Sequence, residues 1–154
     1  LEAMEDSRVG ASGVQLSVVV LLLQFAALVR LGHLAPIALV ITSALARVSP
    51  LWAMARFAYL RVNGTAGFHR HYRKGLGDAV PTLFLLLVVG PLLQRLPLLT
   101  APLCLLSALV AAEWLGRRLG GMTGDSYGAV VMLSETSSLL FVALLAPSLG
   151  SAGG

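Results

Sequence analysis

The chain has 154 residues, of which 57% are hydrophobic and only 12% charged, and its mean hydropathy is +0.86. Soluble domains carry about 25% charged residues, so this composition excludes an ordinary soluble domain and indicates an integral membrane protein. The net charge of +4 does not require a nucleic-acid partner, because membrane proteins carry an excess of Lys and Arg in their cytoplasmic loops.

Five apolar segments each reach or approach the roughly 20 residues that a membrane-spanning helix needs. They cover about residues 13–29, 34–60, 79–94, 96–115 and 127–146. The second is long for one crossing, and Pro50 within it predicts a kink or an interfacial stretch. We therefore predict an all-α fold, a polytopic membrane helical bundle with about five transmembrane helices, as a single domain over residues 1–154.

Basic residues predict the orientation of these helices. Those on one side of a five-span arrangement are Arg8, Arg61, Arg70, Arg73, Lys74, Arg117 and Arg118. Only Arg30 and Arg95 fall on the other side, and Arg47 and Arg56 are predicted within a span. The positive-inside rule then predicts a multi-pass protein embedded in the lipid bilayer, with residues 120–129 on the cytoplasmic face.

The most informative feature is the run GGMTGDSYGA at residues 120–129, between the fourth and fifth segments. Its glycines let the backbone approach a ligand closely, and Thr123 or Asp125 can cap the helix that follows. Ser126 could provide a cap without a charge, so we favour Asp125 as a metal ligand over Asp125 as a cap alone. A carboxylate among backbone N–H groups suits a metal that bridges protein and phosphate. The run predicts metal-dependent phosphoryl chemistry at a membrane surface.

The first segment, like the fifth, is preceded by an Asp-Ser pair. Here the pair is Asp6-Ser7, and Arg8 follows it. In one interpretation Asp6 is a second metal ligand, and Arg8 stabilises charge that develops on a phosphoryl group. In the other, Asp6 belongs to a solvated acidic stretch with Glu2 and Glu5.

Arg47 and Glu135 each interrupt an apolar segment. A charge near the bilayer centre costs about 3 kcal/mol, so we expect both side chains to face the bundle interior. A structural ion pair between them and contact with a substrate are both open interpretations. Glu135 follows Asp125 by ten residues, about 15 Å along a straight helix, so these two carboxylates cannot ligate one ion unless the helix breaks.

The segment between the second and third spans is basic and contains His69. It is predicted to be a solvated loop at the anionic inner leaflet. Alternatively, it gathers an anionic substrate, and a histidine there could act as a general base.

The run at 120–129, with Glu135 beyond it, strongly resembles cobalamin synthase, the adenosylcobinamide-GDP ribazoletransferase family. Residues 4–13, MEDSRVGASG, look like the Asp-Ser-Arg-x-Gly-x-x-Gly element of that family. Arg47 before PLWAM, and RVNG from Arg61, match its middle section more loosely. The resemblance spans nearly the whole chain in the right order.

This resemblance implies a multi-pass enzyme of the bacterial inner membrane that completes the nucleotide loop of vitamin B12. A ribose hydroxyl of α-ribazole (or its phosphate) attacks the corrinoid-linked phosphorus of adenosylcobinamide-GDP, GMP departs, and Mg²⁺ assists. On this picture Asp125 and Asp6 are metal ligands, and Arg8, Arg47 and Glu135 are catalytic. The residues assigned to substrate binding are Gly120, Gly121, Thr123, Gly124, Arg61 and His69.

One departure concerns an acidic motif of the type Asp-Gly-Leu-Ala-Asp, which family members carry upstream and which nothing in this chain matches. We therefore expect the chain to be the C-terminal part of the enzyme, inactive alone unless a separate polypeptide supplies the missing half. The expected protein partner is such an N-terminal half or a second copy in a homo-oligomer. The alternative function is a small membrane transporter or channel component that uses the buried charges of Arg47 and Glu135. That alternative leaves the run at 120–129 without a purpose.

Overall fold

A computed structural model describes residues 11–60, positions 77, 80 and 84, and residues 96–150. The helices of the two long ranges are α1 (Ala11–Leu31), α2 (Ala35–Ala46), α3 (Val48–Arg56), α4 (Leu96–Leu119) and α5 (Gly124–Gly150), with a 3₁₀ turn at Gly32–Leu34. These ranges contain no named strand and only an isolated β-bridge. The predicted all-α class is therefore confirmed.

Two stretches are long and apolar enough to cross a membrane, namely Ala11–Arg56 with a mean hydropathy of 2.1 and Gly124–Leu145 with 1.8. The first, fourth and fifth predicted segments each coincide with one helix, and the second covers α2, α3 and the non-helical residues 57–60. The third, at 79–94, lies outside the described residues except for positions 80 and 84, which are helical. The count of about five spans stays a prediction.

Helix α5 is the centre of the bundle, because it packs against each of α1, α2, α3 and α4. Gln24 of α1 contacts Thr136 of α5, and Arg30 contacts Ala143. Because the residue numbers of the contacting positions rise together along the two helices, α1 runs parallel to α5. The turn at Gly32–Leu34 then reverses the chain, so that α2 and α3 return towards the start of α5.

The distribution of side chains is typical of a helical bundle in lipid. Completely buried polar side chains include Thr42, Ser49, Ser134 and Ser138, whereas Phe25 and Leu144 are each 66% exposed. Small polar residues between membrane helices allow close packing and hydrogen bonds, while large apolar residues suit the lipid-facing surface. The described helices therefore expose the apolar groups that a soluble domain would bury.

The kink predicted at Pro50 occurs three residues earlier. It is a break at Arg47, between the end of α2 and the start of α3. Proline has no N–H, and its ring crowds the carbonyl four residues before it, which here is that of Ala46. Ser49 satisfies this carbonyl, because its Oγ donates a hydrogen bond to Ala46 O at 2.6 Å.

A second proline is compensated in the same way near the end of α5. Pro147 has no N–H to donate to the carbonyl of Ala143, its α-helical partner. Arg30 donates from Nε to this carbonyl at 2.9 Å and so joins the end of α1 to α5. In an apolar bundle an unsatisfied carbonyl is costly, so both contacts stabilise the packing.

Arg56 was predicted within a span, and the apolar stretch Ala11–Arg56 that could cross a membrane ends at this residue. It is the exposed last residue of α3, because Phe57 adopts an extended backbone (φ −118°, ψ 146°) that ends the helix. Arg117 and Arg118 lie in the last turn of α4, next to the start of α5. We call this end of the bundle, where residues 119–124 connect α4 to α5, the loop end. Arg30 lies at the opposite end.

Candidate functional site

Gly120 and Gly121 end helix α4 at the loop end of the bundle. Gly120 has φ +69°, a left-handed conformation that glycine adopts without steric cost. The N–H of Gly121 donates to the carbonyl of Gly116 at 3.1 Å, which is the long hydrogen bond of a Schellman motif. The conformations of these glycines, predicted to bind substrate, therefore have a structural reason that does not depend on a ligand.

Residues 57–60, which we call the strap, cross the loop end and pair with Met122. The N–H of Met122 donates to Ala58 O at 2.8 Å, and the N–H of Leu60 donates to Met122 O at 2.9 Å. A Cβ on Gly121 would lie 2.6 Å from Leu60 Cδ2 and 2.8 Å from Ala58 O. The strap thus lies directly on the glycine-rich run, and the missing side chain of Gly121 makes room for it.

An aromatic pair adds to this contact. The rings of Tyr59 in the strap and Tyr127 in α5 are stacked, with centroids 6.3 Å apart and an interplanar angle of 7°. Met122 is completely buried beside Tyr127 in the same apolar cluster. The sequence predicted residues 34–60 as one apolar segment, and nothing in its pattern indicated the strap.

Thr123 caps helix α5. Its Oγ1 accepts a hydrogen bond from the N–H of Ser126 at 3.3 Å, and Ser126 Oγ accepts one from the N–H of Thr123 at 2.7 Å. This reciprocal pair resembles a capping box in which serine replaces the usual Glu or Gln. The predicted cap by Thr123 is therefore confirmed. The side chain of Thr123 is completely buried and offers no surface to a ligand. Its role in substrate binding stays a prediction.

Asp125 lies in the first turn of α5 and is exposed. The positive end of the helix dipole stabilises its carboxylate there. In the described ranges no group of three or more His, Cys, Asp or Glu could hold a metal ion. Mg²⁺ commonly takes one or two carboxylates and completes its shell with waters and substrate phosphates. Asp125 fits as one such oxygen ligand, on a helix end that also favours phosphate.

Four predicted site residues, Asp6, Arg8, Arg61 and His69, lie outside the described residues. The described chain leaves the loop end at Leu60, whose N–H is bonded to Met122.

Ser43, Arg47 and Glu135, which we call the interior cluster, lie where the end of α2 meets α5. Ser43 Oγ donates to Glu135 Oε1 at 2.6 Å, and Arg47 Nη1 donates to Ser43 O at 2.8 Å. Glu135 is half-buried, whereas Arg47, predicted to face the bundle interior, is exposed. The helix break turns Arg47 back along α2 instead. Among the described residues the recorded ion pair is Glu113–Arg117, and none joins Arg47 to Glu135.

Helix α5 is uninterrupted from Gly124 to Gly150. Asp125 and Glu135 are therefore about 15 Å apart along it, which confirms that they cannot ligate one ion. The sequence reasoning did not identify Gln24, whose Nε2 donates to Thr136 Oγ1 at 2.9 Å next to the interior cluster. A glutamine within an apolar segment was the available signal. The structure thus presents two separate polar clusters on α5.

Comparisons with known proteins cover almost the whole chain. A family model described as cobalamin-5-phosphate synthase matches residues 1–143. The adenosylcobinamide-GDP ribazoletransferase of Prochlorococcus marinus strain MIT 9313 is 51% identical over 160 residues, covering 96% of this chain and 62% of the relative. The protein of the same name from strain MIT 9303 is 53% identical over 157 residues, covering 94% and 60%. That of Thermosynechococcus vestitus is 41% identical over 143 residues, covering 93% and 57%.

The chain spans about three fifths of the length of the curated relatives it matches. No solved structure matches it significantly.

Proposed function

Since the chain belongs to the cobalamin-5-phosphate synthase family, we propose that it acts within an adenosylcobinamide-GDP ribazoletransferase of cobalamin biosynthesis. The reaction joins adenosylcobinamide-GDP to α-ribazole (or its phosphate) and releases GMP. The observation that carries this proposal is the family match over residues 1–143, supported by relatives of that name at 51% and 53% identity. A transporter function has no such support.

The reaction replaces a phosphoanhydride bond with a phosphate ester bond. The oxygen of a ribose hydroxyl forms a bond to the corrinoid-linked phosphorus, the bond from that phosphorus to the GMP oxygen breaks, and the hydroxyl proton is released. Such a transfer requires mainly positioning and neutralisation of charge. The loop end suits this task because it combines a helix N-terminus, an exposed carboxylate and a backbone fixed by the strap.

We assign Asp125 to the diphosphate through Mg²⁺, with Asp6 as a second ligand. When bound, Mg²⁺ would neutralise phosphate charge and orient the diphosphate. Arg8 would stabilise charge on the phosphoryl oxygens. The positive end of the α5 dipole, at Gly124, lies at the same end of the helix and favours phosphate. Arg61 and His69 would bind the anionic substrate from the adjoining basic segment.

Arg47 and Glu135 contact a different part of the substrates in this proposal. Glu135 is about 15 Å from Asp125 along α5, which is too far for both to act on one phosphorus. The interior cluster is therefore assigned to a polar group remote from the diphosphate.

The activity is tested with the complete gene product that contains this chain, purified in detergent. With both substrates and Mg²⁺ it should release GMP, and it should stop when the metal is chelated and resume when Mg²⁺ is restored. The 154-residue chain alone should be inactive. Absence of GMP release by the complete protein would contradict the function, and release by the chain alone would contradict the need for a further part.

We also propose that the protein lies in the bacterial inner membrane and that its loop end is on the cytoplasmic side. The supporting observation is that Arg56, Arg117 and Arg118 all lie at this end, whereas Arg30 lies at the other. An excess of basic residues on one side predicts a cytoplasmic location.

The orientation is tested by labelling cysteines from outside the cell. Cys104 is the only cysteine among these 154 residues and is buried. Cys104→Ser, with any cysteine elsewhere in the gene product also replaced by serine, gives an unlabelled parent. His33→Cys in the 3₁₀ turn should react with a membrane-impermeant maleimide in intact cells. Ala58→Cys in the strap should react only after lysis, because the loop end is proposed to be cytoplasmic. The native side chains of His33 and Ala58 are both exposed, and they lie at opposite ends of the bundle. Labelling of Ala58→Cys in intact cells would contradict the orientation.

A further inference from the structure

We propose that Ser43 is a positioning residue, which holds Glu135 and Arg47 side by side, with their charges unpaired, to receive a polar group of the substrates. This inference rests on the function proposed above and extends it to a residue with no assigned role. Three observations support it: the partner of the Ser43 hydroxyl, the partner of its carbonyl, and the atoms that remain available on the two charged side chains.

The hydroxyl of Ser43 makes an unusual contact for a helical serine. Serine and threonine in helices commonly donate to a carbonyl one turn earlier in the same helix. The described residues whose hydroxyl donates to a carbonyl three or four residues earlier are Ser17, Thr42, Ser49, Ser107, Ser126, Ser134, Thr136 and Ser137. Ser43 instead donates to Glu135 on another helix, at 2.6 Å. An O–H donor this close to a carboxylate forms a strong, charge-assisted hydrogen bond, which restricts the orientation of Glu135.

The carbonyl of Ser43 holds the second charged group. In a continuous helix it would accept from the N–H of Arg47, but that N–H is directed to Leu45 O at the end of α2. The guanidinium of Arg47 donates to Ser43 O at 2.8 Å instead. The break that Pro50 imposes therefore brings Arg47 to the same residue that binds Glu135.

The two charged side chains keep atoms available for a ligand. In the part of the chain that the structure describes, no ion pair joins Arg47 to Glu135, and no partner is recorded for Glu135 Oε2. Arg47 contacts Ser43 through only one of its guanidinium nitrogens. A carboxylate oxygen and guanidinium donors on either side of Ser43 fit a group that offers a hydrogen-bond donor beside an oxygen acceptor. A hydroxyl next to a phosphate and a primary amide both have this chemistry.

The test compares variants of the complete gene product by steady-state kinetics, with KM measured for each substrate separately. Ser43→Ala should raise the KM of one substrate by about tenfold, the size expected when a hydrogen bond to a charged group is lost. Ser43→Thr keeps the hydroxyl and should restore the wild-type KM. The substrate whose KM changes identifies the source of the polar group. Ser17→Ala is the matched control, because the hydroxyl of Ser17 donates only within its own helix.

A double variant separates positioning from general stability. If Ser43 acts through Glu135, adding Ser43→Ala to Glu135→Gln should cause no further rise in KM. An independent, additive loss would overturn the proposal, as would an unchanged KM in Ser43→Ala or a lowered thermal stability without a kinetic effect. Failure of the wild-type protein to release GMP would refute the proposed function itself. An active wild type, together with a wild-type KM in Ser43→Ala, would refute only this inference.

Discussion

Replacing Asp125 with asparagine should lower kcat/KM for GMP release by about 100-fold or more, the usual size when an electrostatic group at the reacting phosphate is removed. The amide keeps the shape of the side chain but not the charge that attracts a divalent cation. We therefore also expect a higher Mg²⁺ concentration for half-maximal activity. The measurement is GMP release by the complete gene product over a titration with Mg²⁺.

The fold should survive this change, because the cap of α5 is formed by Thr123 and Ser126. Circular dichroism in detergent checks this point. Glu113→Gln is the matched control, since it makes the same chemical change on α4, where the carboxylate is paired with Arg117 at 2.7 Å. Exposed ion pairs of this kind contribute little to stability, so its activity should be unchanged. Normal turnover and normal Mg²⁺ dependence of Asp125→Asn would show that the metal assignment is wrong.

The second large effect is expected at the contact between the strap and the glycine-rich run. Gly121→Ala should reduce the free energy of unfolding by about 1–3 kcal/mol, as overpacking of a close contact does. The new Cβ would lie 2.6 Å from Leu60 Cδ2, which can move, and 2.8 Å from Ala58 O. That oxygen cannot move freely because it accepts a hydrogen bond from the N–H of Met122. The thermal unfolding midpoint in detergent measures the change, and activity should fall with it because the strap holds the loop end.

Gly128→Ala provides the control for this prediction. Gly128 lies in α5 only seven residues further on, but a Cβ there would meet nothing within 4 Å. Alanine is favoured over glycine in helices by about 1 kcal/mol, so this variant should be as stable as the wild type or slightly more so. Equal midpoints for Gly121→Ala and Gly128→Ala would show that the strap does not pack on residue 121.

Features that depend on short stretches of sequence were predictable here. Apolar runs indicated where helices α1, α2, α4 and α5 lie, because apolar content and helix length are local properties. Pro50 indicated the break in the second segment, since a missing N–H acts on the carbonyl four residues earlier. The separation of Asp125 from Glu135 followed from the rise per residue, and the intact helix α5 confirmed it.

Features that depend on the rotation and position of one helix against another were not predictable. Glu135 was identified as a charge that needs a partner, but whether that partner was Arg47 or a neutral donor depended on which face α2 presents to α5. The exposure of Arg47 depended on the same rotation. Likewise, Thr123 was one of two candidate caps, and its reciprocal hydrogen bonds with Ser126 depend on the geometry of the turn after Gly121.

From the residues alone, one can derive that this protein is an apolar helical chain with a glycine-rich, acidic connection before its last helix. Local chemistry is sufficient for that conclusion, because hydropathy, proline and glycine act within a few positions of themselves. The strap on Gly121 and the bonds of Ser43 to two charged residues required the folded chain. They join positions far apart in sequence, and among many equally apolar neighbours only the packed arrangement of the helices determines which side chains meet.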